Sequence, residues 1–154
     1  EKEEEDLLPV VNRRKLPAEK TKGNHQLRAP QGPPTHLIVL AHGVYGYGSD
    51  MWYFAYLFEK AKCPIYHVLS ATSYEGRTRD GVDLCGGLLA EEVQKCVSEI
   101  KTLKKVSFIG HSLGGLVCRY AIGVLMKDGF FQKVQPEHFV SFASPHLGVR
   151  RLAS

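Results

Sequence analysis

Apolar runs alternate with segments of helical periodicity along residues 36–143. Leu37-Ile38-Val39-Leu40-Ala41 is apolar at every position, the pattern of a parallel strand covered on both faces. Ile65-Tyr66-His67-Val68-Leu69, Val106-Ser107-Phe108-Ile109 and His138-Phe139-Val140-Ser141-Phe142-Ala143 read as three further strands. Between them, residues 51–58 form an aromatic-rich helical stretch, with Ser49 or Asp50 placed as its N-cap. Residues 86–104 show apolar positions at Leu89, Val93, Cys96 or Val97, Ile100 and Leu103, with Glu91, Glu92, Lys95, Glu99 and Lys101 turned outward. Residues 113–126 repeat the helical spacing through Leu116, Val117, Tyr120, Ala121, Val124 and Leu125, and Asp128-Gly129 ends the pattern. Trp52, Tyr53, Tyr56 and Phe58 are expected to pack in the core rather than to line an acyl pocket. His67, alternating with apolar neighbours, is given no chemical role.

Strand and helix in strict alternation require right-handed crossovers and hence a parallel sheet with helices on both faces. The fold class is therefore α/β, a doubly wound, mainly parallel sheet. Its ligand crevice lies at the carboxyl ends of the strands. Residues 1–35 open with an acidic cluster and continue as a basic, proline-containing stretch, which predicts a flexible charged leader. Residues 36–154 carry the folded domain.

The chemistry converges on Gly110-His111-Ser112-Leu113-Gly114, a G-x-S-x-G sequence set between a strand and a helix. A serine on such a turn stands clear of the sheet, and glycines on either side let strand and helix close upon each other. Ser112 is the candidate nucleophile. Acyl transfer also needs two fixed donors for the oxyanion, one from the residue after the nucleophile and one from the loop after an earlier strand. Those are the backbone N–H groups of Leu113 and Val44. His42, Gly43 and His111 flank them as candidate substrate contacts. The competing reading is a glycine-rich turn of another doubly wound sheet, with Ser112 serving only to cap its helix.

Composition narrows the alternatives. The 154 residues are 44% hydrophobic, enough for one packed domain, and the net charge of +4 is too mild to suggest nucleic acid as a partner. Cys63, Cys85, Cys96 and Cys118 lack C-x-x-C spacing, which favours buried, reduced thiols over a metal site or a disulfide framework and points to a cytoplasmic location. No apolar run reaches the roughly 18–20 residues of a transmembrane helix, and no signal-peptide pattern opens the chain, which begins without Met. No cofactor and no metal are expected.

Beyond the elbow, residues 36–43, Asp80-Gly81-Val82-Asp83 with the Gly87-Leu88-Leu89-Ala90-Glu91-Glu92-Val93 that follows, and Phe142-Ala143-Ser144-Pro145-His146-Leu147-Gly148-Val149 add a second layer of pattern. Together with Gly110-His111-Ser112-Leu113-Gly114-Gly115-Leu116 they make residues 36–151 resemble the eukaryotic serine esterase family, a lipase-like branch of the α/β-hydrolase superfamily. The resemblance implies the α/β-hydrolase fold and hydrolysis of carboxylic esters, with a small-molecule or lipid ester as substrate. Peripheral contact with a membrane is compatible with it. In the superfamily the acid and histidine follow the nucleophile on loops after later strands, whereas this chain stops one strand past Ser112. The sheet is thus expected to be truncated, with acid and base beyond this chain. Asp128, His138 and His146 sit in unsuitable places for those roles. The alternative to an esterase is an inactive short form that serves as a lipid- or protein-binding module, whose last strand would be an unpaired edge.

Overall fold

A computed structural model describes residues 32–61 and 63–149. The leader expected over residues 1–35 lies outside them except for its last four residues. The elements are β1 (His36–Ala41), a 3₁₀ turn (Gly48–Met51), α1 (Trp52–Lys60), β2 (Tyr66–Ser70), α2 (Val82–Glu99), β3 (Lys105–His111), α3 (Leu113–Lys127), a second 3₁₀ turn (Phe130–Gln132) and β4 (Gln135–Phe142). The four strands form one sheet in the order β2-β1-β3-β4, and every pairing is parallel. No helix among the described residues is long and apolar enough to cross a membrane.

β1 lies at the centre because all six of its residues are buried. Its alternate side chains feed two cores. Leu37, Val39 and Ala41 join Val106 and Phe108 beneath α2 and α3, which contribute Leu89, Val93, Val117, Ala121 and Leu125. Ile38 and Leu40 face the other way with Met51, against Phe54, Ala55 and Phe58 of α1. Helices thus cover both faces, as the apolar run of β1 demands.

Three expectations need correction. The second helix begins at Val82 and ends at Glu99, not over 86–104. Gly86 is a mid-helix contact rather than a start: a Cβ there would lie 2.7 Å from the Tyr120 ring, so α2 and α3 touch closely at this point. At the other end, Ile100 leaves helical geometry, and Lys104 N–H already donates to the Thr35 carbonyl at the sheet. The aromatic helix, too, has no buried residue. Trp52 is 64% and Tyr53 53% exposed, because only the Phe54, Ala55 and Phe58 side of α1 meets the sheet. Finally, Met51 is the residue before α1, and Asp50 instead accepts the Tyr47 N–H at 2.9 Å within the 3₁₀ turn.

β4 is an edge strand among the described residues, with Phe139 42% and Val140 48% exposed. Pro136 near its start is tolerated where one side of a strand has no partner. All four cysteines are free, and Cys63 is only half-buried. Burial raises the thiol pKa values of Cys85 and Cys96 and pushes that of Cys118 up to about 12.

His36 opens β1, its Nε2 hydrogen-bonded to Ser107 Oγ at 2.8 Å. Burial holds its pKa below the ordinary 6.5, with Lys105 and His138 adding to the effect and Glu137 opposing it. The neutral ring therefore belongs to the folded state. Its contribution is fully present above about pH 6.5, and is lost as pH falls toward the lower folded-state value because the unfolded chain takes the proton first. His36→Gln should flatten the decline in denaturation midpoint between pH 7.5 and 5.5, and an unchanged decline would exclude this group as its source. Phe108→Ala should cost about 3–5 kcal/mol, whereas Phe139→Ala at the exposed edge should stay within about 0.5 kcal/mol in urea titrations.

Candidate active site

β3 delivers the chain to Ser112, where φ is 53° and ψ is −121°, and α3 begins at the next residue. A positive φ at a residue with a side chain costs about 1–3 kcal/mol and persists only where its surroundings hold it. Here Ser112 N–H donates to the Phe142 carbonyl at 2.9 Å, and Gly115 N–H donates to the Ser112 carbonyl at 3.1 Å. The flanking glycines make the turn possible. A Cβ on Gly110 would lie 2.5 Å from the Gly115 nitrogen, and one on Gly114 would press on the Ala41 and His42 carbonyls. The first turn of α3 therefore rests directly on the ends of β1 and β3. The Ser112 side chain makes no capping hydrogen bond to α3, which counts against the helix-cap reading.

The loop after β1 stands beside this corner. A Cβ on Gly43 would be 3.1 Å from the Ser112 Cβ, so the two backbones face each other with nothing between. Gly43 to Gly46 form a β-turn, closed by Gly46 N–H on the Gly43 carbonyl at 3.1 Å. Val44 rides on its tip, half exposed. Among the described residues, neither Val44 N–H nor Leu113 N–H has a hydrogen-bond partner. Leu113 N–H also lies at the positive end of the α3 dipole. Two free donors thus belong to the backbone around Ser112.

His42 departs from its expected place at the substrate. It is wholly buried, stacked on Tyr74 with centroids 4.2 Å apart, and its Nδ1 donates to the Gly43 carbonyl at 3.0 Å. As folded, its ring offers no surface to a ligand and serves instead beneath the loop. Burial also drives the Tyr74 hydroxyl pKa far upward, so this hydroxyl keeps its proton and donates to the His42 carbonyl at 2.9 Å. His111 is exposed beside Gly43 and stacks on Phe142 at 4.9 Å.

The other candidates do not reach Ser112. Arg119 lies 3.1 Å from Nδ1 of His146, and a guanidinium only donates. The His146 proton therefore sits on Nε2 and is given to Ser141 Oγ at 2.8 Å, while the ring's one lone pair, on Nδ1, is taken by Arg119 and is not free to act as a base. His138 pairs in register with Ser107, roughly 13 Å along the strand from the elbow. Asp128 ends α3, about 22 Å from its start, and accepts from Gln94. Ser112 Oγ has no hydrogen-bond partner among the described residues. Nor do these residues include a cluster of His, Cys, Asp or Glu able to hold a metal. A cavity of about 470 Å³ opens beside Phe58, Pro64 and Tyr66 at the start of β2, the end of the sheet away from Ser112.

The stretch after β2 contributes three further residues to the neighbourhood, none of them singled out in the sequence. Besides Tyr74, Thr78 Oγ1 accepts Tyr45 N–H at 3.0 Å and Glu75 accepts Gly48 N–H at 2.7 Å. Their one signal was position, since a loop leaving the carboxyl end of a strand borders the crevice.

Residues 31–153 match the family described as "Putative serine esterase (DUF676)". The chain belongs to this serine esterase family. Within it, the chain is 35% identical over 131 residues to "Putative lipase ROG1" of Saccharomyces cerevisiae, a match covering 80% of this chain and 19% of that protein. "Putative lipase C4A8.10" of Schizosaccharomyces pombe is 31% identical over 126 residues, covering 75% of this chain and 16% of that protein. The chain thus spans less than a fifth of the length of these curated relatives. The solved structure of Bacillus licheniformis lipase BlEst2 in mature form superposes with a TM-score of 0.51 at 21% identity, over 81% of this chain and 45% of that one. It shares the α/β-hydrolase fold of this esterase-family chain.

Two glycines of α3 separate the elbow constraint from general helix chemistry. Gly114→Ala should lower stability by about 3 kcal/mol, because the backbone carbonyls it meets have nowhere to go. Gly123→Ala, whose Cβ would meet open space, should raise stability by about 0.5–1 kcal/mol. Equal effects of the two in urea denaturation would contradict the close approach at Gly114.

Proposed function

We propose that this chain carries the nucleophile and oxyanion half of a carboxylic ester hydrolase acting on lipid esters. The observation that carries the proposal is Ser112 at positive φ between strand and helix, with Gly43 against it and two unpaired backbone donors nearby. Ser112 Oγ attacks the ester carbonyl carbon, and its proton passes to a base. The carbonyl oxygen becomes an oxyanion, which accepts from Leu113 and Val44 N–H. The carbon–oxygen bond to the leaving group breaks, the alcohol departs with a proton, and water then hydrolyses the acyl-serine. Each oxyanion donor supplies about 10²–10³ in rate where such groups have been removed.

Base and acid come from outside residues 32–149, since His146 is engaged on both nitrogens and His138 lies at the far end of β3. The lipid character of the substrate is supported by the names of the yeast relatives as lipases and by the aromatic face of α1 near the loop, with Trp52 and Tyr53 exposed. Such a face also suits peripheral contact with a lipid surface.

A fluorophosphonate probe, which phosphonylates an activated serine, tests the assignment in the intact protein. The label should map to Ser112 and vanish in Ser112→Ala, with ester turnover falling by about 10⁴–10⁶. Labelling of another residue, or turnover that survives the substitution, would remove Ser112 from the reaction. No labelling of the folded intact protein would favour the inactive binding module.

A further inference from the structure

The geometry points to Thr78, on the loop after β2, as a positioning residue that holds the oxyanion loop in its working conformation. This rests on the reading of Ser112 and Val44 given above. Val44 lies between two peptide planes, and each is pinned. In a trans peptide the N–H points opposite to the preceding carbonyl. The Gly43 carbonyl accepts from Gly46 N–H and His42 Nδ1, which sets the direction of Val44 N–H. The next plane, Val44–Tyr45, is set by Tyr45 N–H, which donates to Thr78 Oγ1 at 3.0 Å.

The second constraint is needed because Tyr45 sits at φ 58°, third in the Gly43–Gly46 turn. That position of a type II turn favours glycine, and with a side chain the relaxed alternative is a flip of the central peptide to type I geometry. A flip would change Val44 ψ and Tyr45 φ and turn the Tyr45 N–H and Val44 carbonyl around, so that a carbonyl oxygen replaces an N–H in the loop directly after the Val44 donor. Thr78 is suited to prevent this. It is nearly buried, so water competes little for the bond, and its loop is itself tied down. Tyr74 reaches the His42 carbonyl, Glu75 takes Gly48 N–H, and Glu92 of α2 accepts from Thr72 and Ser73 N–H at 3.1–3.3 Å.

Hydrolysis of p-nitrophenyl butyrate by the intact protein tests this with Thr78→Val, which keeps the shape and removes the acceptor. The expected result is a fall in kcat of about 10-fold with KM unchanged, restored by Thr78→Ser. Adding Tyr45→Gly to Thr78→Val should recover much of the loss, because glycine holds positive φ without the tether. Amide exchange over residues 43–48 should quicken in Thr78→Val and return in Thr78→Ser. Ser112→Ala is measured beside them. Wild-type kcat in Thr78→Val while Ser112→Ala is inactive overturns the tether alone, as does a loss that Thr78→Ser fails to restore. Activity that survives Ser112→Ala overturns the Ser112 reading itself and the oxyanion loop with it.

Discussion

The architecture around Ser112 depends on the absence of two side-chain atoms. Gly110 and Gly114 allow the end of β3, the first turn of α3 and the carbonyls at the end of β1 to meet at backbone distance. Protein interiors yield little to added volume. With any larger residue at 114, α3 would have to withdraw from β1, and the serine would lose both its conformation and its distance to the Gly43 loop. The strained φ of Ser112 is thus a consequence of packing, fixed by elements that are themselves buried in the core.

A second, softer system surrounds this hard corner. The loop after β1 leaves Val44, Tyr45 and Tyr47 exposed, and polar tethers hold it. Tyr74, Glu75 and Thr78 reach it from the loop after β2, and Glu92 ties that loop to α2. A hydrogen bond of this kind contributes only about 1 kcal/mol, but several acting on successive peptides select one backbone geometry from many. Glu92 illustrates how surface and site connect, since its carboxylate is spent on the backbone of the loop.

Most of the sheet was readable from the sequence because a strand buried on both faces has an unmistakable apolar run, and the elbow because its glycines are forced by geometry. The α2 start was missed since Gly86 looks like a boundary in one dimension and is a contact with Tyr120 in three. The aromatics of α1 were misplaced for a related reason. Apolar side chains on every side of a helix do not say which side meets the sheet, and here Phe54 and Phe58 do while Trp52 and Tyr53 do not. His42 was placed with the substrate because its neighbours in sequence are there, yet its side chain turns inward onto Tyr74. Tyr74 and Thr78 lay about 30 residues from the loop they hold. No local pattern announces such a bond.

The order β2-β1-β3-β4 bears on how the molecule comes into being. β1 and β3 are adjacent in space, yet His36 pairs with Lys105, so joining them closes a long segment that contains a helix, a strand and another helix. Such non-local parallel pairing is slow, since the entropy of closure is spent before the contacts form. On a growing chain, β1 emerges before its partners: α1 and β2 can shelter its Ile38 and Leu40 face early, whereas the Leu37, Val39 and Ala41 face waits for α2 and α3. The serine corner needs α3 packed against a strand made some seventy residues earlier, and the Phe142 carbonyl of β4, which comes later still, to hold Ser112 N–H.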